Sequence, residues 1–235
     1  MDEFVDQFLN IGSLLHIYPL LLEGLGVTVK LILAIVPTAI VAGLVVAVLI
    51  DFRIPILRPV LIAYIDFIRA FPPLVMLVFL YSGLPFVGIN LGEFGTVVAG
   101  LAANGSAFFA EIFRAGINSV SRTQRDAARS TGVGALTTVI YIVLPQAIRN
   151  VIPPLASNVL DLAKLTSLGS VVALPELLRS ARIAQMTTLN PTPLIAIAVI
   201  YLLMLWPLVR LLSLLEIKAN LASPHGATKK VIQNV

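Results

Sequence analysis

The hydrophobic residues of this chain lie in long runs that contain no charged residue, and short polar segments separate the runs. Leu31–Ile50 has no charge across 20 positions, Ala70–Gly92 has none across 23, and Ile183–Val209 has none across 27. A helix needs roughly 20 predominantly apolar residues to cross the hydrocarbon core of a bilayer. The pattern therefore predicts a chain that crosses a membrane several times.

We predict an all-α integral membrane fold of one domain with five membrane-spanning helices. Their approximate bounds are residues 27–50, 59–82, 94–113, 150–173 and 194–212. Two prolines and two charged residues make the fourth span the least regular: Pro153, Pro154, Asp161 and Lys164. A span that is surrounded by other helices tolerates such residues better than one that faces lipid.

The composition excludes an ordinary soluble domain. Of the 235 residues, 58% are hydrophobic and 12% are charged, whereas about 25% of residues are charged in typical soluble domains. The 16 lysines and arginines outnumber the 12 acidic residues. In a membrane chain such an excess is typical of cytoplasmic loops.

The positions of the basic residues predict the orientation. With five spans, the segments between spans one and two, between spans three and four, and after span five lie on one side. These segments carry most of the basic residues: Arg53, Arg58, Arg114, Arg122, Arg125, Arg129, Arg149, Arg210, Lys218, Lys229 and Lys230. We therefore predict that this side is cytoplasmic. The predicted regions are an extracytoplasmic or interfacial segment (1–26, with a short interfacial helix at Phe4–Leu22), a membrane domain (27–212) with a cytoplasmic loop (114–149), and a cytoplasmic tail (213–235).

The segment between spans three and four is basic and polar enough to lie on the membrane surface. Ser121 and Gln124 fit a capping box, which predicts a helix that starts at Arg122. Gly132 can adopt the left-handed conformation that ends a helix, and Gly134 permits a second start. We predict two short helices joined at Gly132. On these signals alone, a solvated loop helix and a helix that docks a partner remain alternatives.

The spacing within this segment resembles the EAA motif of ABC-importer permeases. Asp126-Ala127-Ala128 is followed after three residues by Gly132, and after nine more by Ile142-x-Leu144-Pro145. Asp126 stands where the family has glutamate. Further stretches resemble the branch of that family that transports polar amino acids (histidine, glutamate, glutamine, arginine and opines): Leu21–Leu31, Tyr64–Pro85, Ala110–Ile117, Leu144–Leu155 and Leu162–Leu168.

The resemblance implies the permease subunit of a type I ABC importer in the bacterial plasma (inner) membrane. The implied partners are a dimer of cytoplasmic ATP-binding subunits, a second permease subunit (identical or related), and an extracytoplasmic binding protein that delivers a polar amino acid. The residues implied to couple the permease to the ATPase are Asp126, Ala127, Ala128, Gly132, Leu144 and Pro145. ATP is expected on the partner, since this chain lacks the motif G-x-x-x-x-G-K-[ST]. We expect no cofactor, metal or catalytic residue in this chain, and no nucleic-acid partner.

Polar residues inside the predicted spans are the candidates for a substrate pathway, because charged groups there are costly and tend to be functional. Those proposed are Arg69, Asn158, Asp161, Lys164, Thr166 and Ser167. Each charged candidate has a structural alternative: Arg69 with Asp66, and Lys164 with Asp161, as ion pairs three residues apart. Glu111 is predicted to pair with Arg114 in the same way.

Three other functions are alternatives to amino-acid import. A permease for another polar solute, such as an opine or an oxoanion, would share the coupling segment. A stand-alone secondary transporter would more often show an internal repeat with paired broken helices, and none is evident. A membrane-embedded enzyme is disfavoured because the chain has neither H-E-x-x-H nor G-x-S-x-G.

Overall fold

A computed structural model describes the backbone of residues 8–221 and the side chains of residues 8–214. This part of the chain is built from helices and contains no strand. The α-helices are α1 (Ile11–Asp51), α2 (Leu57–Ala70), α3 (Pro73–Gly83), α4 (Gly92–Ser119), α5 (Arg122–Ser130), α6 (Ala135–Thr138), α7 (Leu144–Leu165), α8 (Leu177–Thr188) and α9 (Thr192–Leu221). Turns of 3₁₀ helix follow α3 at Leu84–Val87 and α7 at Thr166–Val172, and a π-helical turn at Val139–Val143 joins α6 to α7.

Four stretches of helix in the described residues are long and apolar enough to cross a membrane, and a bent pair is the fifth candidate. The four are Ile11–Asp51, Gly92–Ser119, Ala135–Val172 and Thr192–Leu214, and the pair is Leu57–Ala70 with Pro73–Val87. This confirms the predicted all-helical membrane fold. The second predicted span is not one straight helix, because the pair is bent by 103° at Phe71-Pro72. Proline disfavours helical backbone in the residue before it, which explains the break.

The first span is longer than predicted. α1 has 41 residues and contains Pro19 and Pro37, so at 1.5 Å per residue it is about 60 Å long, roughly twice the hydrocarbon thickness. The prediction of a separate interfacial helix at Phe4–Leu22 is therefore wrong from Ile11 onward, since those residues belong to α1. Residues 4–7 lie outside the described part of the chain.

The fourth span also begins earlier than predicted. The second of the two predicted short helices is α6, and it continues through the π-helical turn and α7 as one stretch from Ala135 to Val172. Pro153 and Pro154 lie inside α7 and do not end it. The surface segment thus contains one separate short helix, α5, and the next helix, α6, is already the start of a span.

The chain divides into two compact units. The first unit consists of the described residues of Met1–Thr38, Phe71–Asn104 and Asp161–Leu208. A buried apolar cluster joins the start of α1 to α8 and α9 within it: Ile17, Leu21, Leu177, Ala181, Ala184 and Ile197. This cluster positions α8, which connects the fourth and fifth spans.

Glu176 caps the N-terminus of α8 inside the first unit and is fully buried. Its two carboxylate oxygens accept hydrogen bonds from the backbone N–H groups of Leu178 and Arg179, both at 2.8 Å, and the Tyr201 hydroxyl donates to it at 3.3 Å. The N–H of Leu177 donates to the buried Thr28 hydroxyl of α1 at 3.1 Å. The first amides of α8 are therefore satisfied by side chains. Burial raises the pKa of the Glu176 carboxyl.

Replacing Glu176 with alanine is expected to lower the free energy of unfolding by about 1–3 kcal/mol, because two buried N–H groups lose their acceptors. Glu176→Gln keeps one acceptor oxygen and should cost less. Thermal unfolding of the purified chain in detergent measures both. Between the ordinary pKa of 4.5 and the raised pKa of the folded chain, the unfolded chain loses the Glu176 proton and the folded chain keeps it. The free energy of unfolding of the wild-type chain should therefore fall, relative to that of Glu176→Gln, as the pH rises through this range. Equal unfolding temperatures for all three chains would contradict this role.

The second unit consists of the described residues of Ala39–Ala70, Gly105–Leu160 and Val209–Val235. α1 and α4 approach very closely in it, since a Cβ atom on Gly43 would lie 2.6 Å from the Phe109 Cβ and 2.8 Å from the Ser106 carbonyl oxygen. Small residues permit such close packing of membrane helices. The Tyr64 hydroxyl of α2 forms a 2.6 Å hydrogen bond with the Ser106 hydroxyl of α4. This packing fixes the C-terminal end of α1, which is the part of α1 that contacts α5.

Candidate coupling site

The N-terminus of α5 has the cap that the sequence predicts. The helix starts at Arg122, and the Ser121 hydroxyl accepts a hydrogen bond from the Gln124 N–H at 3.4 Å. Asp126 lies in the second turn, and its side chain is exposed. Apart from Arg125, the polar side chains of this nine-residue helix are exposed.

The C-terminus of α5 is a Schellman motif centred on Gly132. The Gly132 N–H donates to the Arg129 carbonyl at 3.0 Å, and the Val133 N–H donates to the Ala128 carbonyl at 3.3 Å. Gly132 has a φ of 81°, a left-handed conformation that costs residues with a Cβ atom roughly 1–2 kcal/mol. A Cβ atom there would meet nothing within 4 Å, so backbone conformation alone requires glycine. The predicted helix end at Gly132 is confirmed.

The two alanines of the motif differ in burial. Ala128 is buried, with 9% of its surface exposed, and packs within the second unit. Ala127 is exposed. Both alanines are predicted coupling residues, and of the two it is Ala127, with its neighbour Asp126, that is exposed in this chain.

Arg125 anchors α5 to two other elements of the second unit. One guanidinium nitrogen (Nη1) donates to both carboxylate oxygens of Asp51 at 2.8 and 2.9 Å, and the other (Nη2) donates to the Ile117 carbonyl at 2.7 Å. The Arg125 side chain is 22% exposed and that of Asp51 is 15% exposed. Charge-assisted bonds in a partly buried setting are strong and specific in geometry. α5 is therefore tied to the end of α1 and to α4.

Sequence reasoning missed both members of this anchor. The available signal was Asp51 itself, a carboxylate at the end of the uncharged run Leu31–Ile50 and beside an arginine-rich loop. Its partner lies 74 residues further along the chain, and no local pattern links the two positions.

The last two residues of the motif, Leu144 and Pro145, begin α7. Pro145 has no N–H to donate to the Tyr141 carbonyl four residues earlier, and the π-helical turn Val139–Val143 lies directly before it. Such turns widen a helix and are frequent at functional sites. Leu144 is half-buried and Pro145 is exposed, so these residues shape the start of the span rather than extend the exposed surface of α5.

A cleft of about 520 Å³ lies beside α5 in the second unit. Its charged lining comprises Asp51, Arg53, Arg122, Arg125, Asp126 and Arg129. Of these, Arg125 and Asp51 form an ion pair with each other, and no such pair involves the other four within the described residues. The cleft therefore presents a net positive surface.

The candidate pathway residues of the first unit lie at the end of the fourth span. Lys164 and Asp161 form the alternative ion pair, with a distance of 3.0 Å between Nζ and Oδ1, but their side chains are 60% and 66% exposed. Exposed pairs of this kind contribute about 0–1 kcal/mol. Thr166 is buried and donates to the Ala163 carbonyl, while Ser167 is half-buried and donates to the Lys164 carbonyl. Lys164 and Asp161 are therefore the accessible polar groups of this set.

The remaining candidates belong to the second unit. The Arg69 guanidinium lies 5.3 Å from the centre of the Phe108 ring, a cation–π contact, and the alternative ion pair with Asp66 is not formed. Asn158 has a buried side-chain nitrogen with no hydrogen-bond partner. Glu111 and Arg114 form the predicted ion pair at 2.6 Å. Within the described residues, no three histidine, cysteine or acidic side chains are grouped to hold a metal ion.

Comparison with known proteins connects this geometry to a family. The model of binding-protein-dependent transport system inner membrane components matches residues 18–219, a range that contains the whole EAA-like segment. The chain belongs to this family. It is the permease component of an ABC importer and not an enzyme.

Individual relatives agree with this assignment. The permease is 35% identical over 178 residues to the probable amino-acid ABC transporter permease protein YckA of Bacillus subtilis (strain 168), covering 76% of this chain and 79% of YckA. It is 36% identical over 204 residues to the probable glutamine ABC transporter permease protein GlnM of the same organism, covering 85% and 93%. A crystal structure of an amino acid ABC transporter with histidines superimposes with a TM-score of 0.79 at 37% identity, covering 88% of the permease and 97% of that chain.

Replacing Gly132 with valine is expected to reduce ATP-driven uptake about tenfold or more. The β-branched side chain disfavours the left-handed conformation by at least about 1–2 kcal/mol, so α5 no longer ends where α6 can follow it. Gly134→Val is a matched control, because Gly134 is equally open but has an ordinary extended conformation (φ −62°, ψ 156°). Uptake into vesicles and the amount of inserted permease measure the effect. Equal loss of uptake in both variants would argue against a role for the Gly132 turn.

Proposed function

We propose that this permease imports a polar amino acid and that α5 docks the cytoplasmic ATPase subunit that drives it. The observation that carries the proposal is the division of α5 into two faces. Ala128 and Arg125 hold the helix against the second unit, while Asp126 and Ala127 are exposed. A helix that is anchored on one side and carries an exposed alanine on another suits a partner that packs closely against that alanine.

The hydrogen bonds of Arg125 connect α5 to α1 and α4, so they can transmit a motion of α5 to both helices. A motion of a docked ATPase would move α5, and Arg125 would pass it to the end of α1 through Asp51 and to α4 through the Ile117 carbonyl. ATP binds to the ATPase subunit in this scheme, and the permease itself carries no cofactor. A second permease subunit, identical or related, completes the pathway.

The proposed orientation follows from the same surface. Arg53, Arg122, Arg125 and Arg129 line one cleft beside α5, and a concentration of arginine is typical of the cytoplasmic side. The N-terminus is then extracytoplasmic and the C-terminus cytoplasmic. The extracytoplasmic side receives the substrate from a binding protein.

The amino-acid class is supported by the relatives, whose names specify amino acids in general and glutamine in particular. It is tested by reconstituting the permease with its ATPase and binding protein in proteoliposomes. A set of amino acids, an opine and an oxoanion is then screened for stimulated ATP hydrolysis and uptake. Stimulation by a polar amino acid is the expected result, and stimulation by another solute alone would overturn the substrate class.

Replacing Lys164 with alanine is expected to reduce uptake roughly tenfold while leaving assembly intact. The ion pair with Asp161 is too exposed to stabilise the fold appreciably, so the cost of an ammonium group at this depth points to a role along the pathway. Lys164→Arg, which keeps the positive charge at the same position, is the control. Uptake is compared with the amount of complex recovered, and unchanged uptake in Lys164→Ala would remove this residue from the pathway.

A further inference from the structure

The connection between α1 and α2 is an arginine-bearing elbow, defined here as residues Phe52–Arg58. Its second residue, Arg53, lies in the left-handed region at φ 55°, where residues other than glycine are uncommon. Two backbone hydrogen bonds hold this shape: the Arg53 N–H donates to the Ile50 carbonyl at 3.1 Å, and the Arg58 N–H donates to the Ile54 carbonyl at 3.0 Å. The elbow is thus an ordered turn that maintains an uncommon conformation.

Both arginines of the elbow line the same cavity of about 390 Å³, together with Pro55, Pro59 and Ile62. Their side chains are exposed, and neither guanidinium has a carboxylate partner within the described residues. Two unpaired guanidinium groups at one cavity form a surface complementary to an anion, and guanidinium forks match phosphate oxygens in geometry.

Large apolar side chains next to these arginines in the sequence are open to the surroundings. Ile54, Ile56 and Val60 are 43%, 82% and 60% exposed. The elbow follows directly on the uncharged run Leu31–Ile50 of the first span. Since about 20 apolar residues cross the hydrocarbon core, we expect the elbow at the edge of the bilayer, where headgroups meet acyl chains. Paired cations beside exposed aliphatic groups are the arrangement that an anionic phospholipid requires.

We propose that the elbow binds the phosphate headgroup of an anionic phospholipid, with Arg53 and Arg58 as its ligands. The exposed aliphatic residues contact the acyl chains. A free phosphate ion would gain nothing from those residues, and the ATPase surface is expected on α5. Basic residues directly beside a membrane-spanning helix attract anionic lipids in this manner. The site requires α1 to span the membrane but does not depend on the docking function of α5.

Lipid retention by the full-length permease tests the site. The chain is purified in detergent, incubated with phosphatidylglycerol or phosphatidylcholine, and analysed by native mass spectrometry. The wild-type chain should retain phosphatidylglycerol selectively. Arg53→Gln with Arg58→Gln should weaken retention roughly 30-fold, equivalent to about 2 kcal/mol at 1.4 kcal/mol for each tenfold. Arg53→Lys with Arg58→Lys keeps both charges and should retain most of it.

Arg122→Gln with Arg129→Gln is the matched control, since it removes two arginines from α5 and leaves the elbow intact. It should retain phosphatidylglycerol like the wild-type chain, and loss of retention in this control alone would overturn the proposal. Equal retention of both lipids by the wild-type chain, or displacement of the lipid by inorganic phosphate at matched concentration, would also overturn it. Size-exclusion chromatography of each variant separates loss of the site from loss of the fold.

Discussion

Replacing Ala127 with tryptophan should release the ATPase from the permease while the permease itself remains folded. Ala127 is exposed on the outer side of α5, so the permease has room for the larger side chain. A partner that packs closely against the alanine does not, and overpacking a tight contact costs about 1–3 kcal/mol. Since each 1.4 kcal/mol is a factor of about ten in affinity, co-purification of the ATPase should fall about tenfold or more.

Ala128→Trp is the contrasting variant. Ala128 is 9% exposed and faces the second unit, so the same enlargement should lower the unfolding temperature of the permease alone. Measuring both co-purification and unfolding for each variant separates an outer contact from an inner one. If the Ala127 variant keeps its ATPase, the docking face of α5 is assigned incorrectly.

Breaking the bond between Arg125 and Asp51 should uncouple transport from ATP hydrolysis. Arg125→Gln or Asp51→Asn leaves the other residue charged and without its partner, and the two side chains are only 22% and 15% exposed. Removing one member of an ion pair costs about 3–5 kcal/mol when the pair is fully buried. We expect the ATPase to remain bound through Ala127 and to hydrolyse ATP. Uptake should fall at least about tenfold, because α5 can then move without moving α1.

Exchanging the charges supplies the decisive comparison. Asp51→Arg with Arg125→Glu restores an ion pair between α1 and α5 and should recover part of the uptake, although the bond to the Ile117 carbonyl is lost. Glu111→Gln is the matched control, because it breaks an ion pair with Arg114 that lies within α4 alone. Similar uptake loss in the control, or no recovery in the exchanged chain, would show that the anchor does not transmit the motion.

The sequence predicted the features that depend on local chemistry. Uncharged runs located the first, second and fifth membrane-spanning segments, because the bilayer sets the length of apolar helix required. Ser121 and Gly132 marked the ends of α5, since capping and the left-handed turn are properties of single residues. The EAA-like spacing then identified the family to which the chain belongs.

Features that depend on tertiary contacts were not predictable from local pattern. Positions 127 and 128 are both alanine, and the packing of α5 within the second unit is what leaves Ala127 exposed and buries Ala128. The partners Asp51 and Arg125 are 74 residues apart. The 103° angle of the bend after α2 and the continuation of α6 into α7 were not predicted, although Pro72 and Pro73 marked the position of the break.

Site-specific cross-linking to the ATPase tests the central claim most directly. The chain has no cysteine, so Ala127→Cys and Ala128→Cys each introduce a single thiol on α5. In the assembled importer, with a cysteine in the facing groove of the ATPase, Ala127→Cys should form an intersubunit disulfide and Ala128→Cys should not. Absence of a cross-link from Ala127→Cys, or a stronger one from Ala128→Cys, would contradict the assignment of the outer face of α5 as the surface that the ATPase drives.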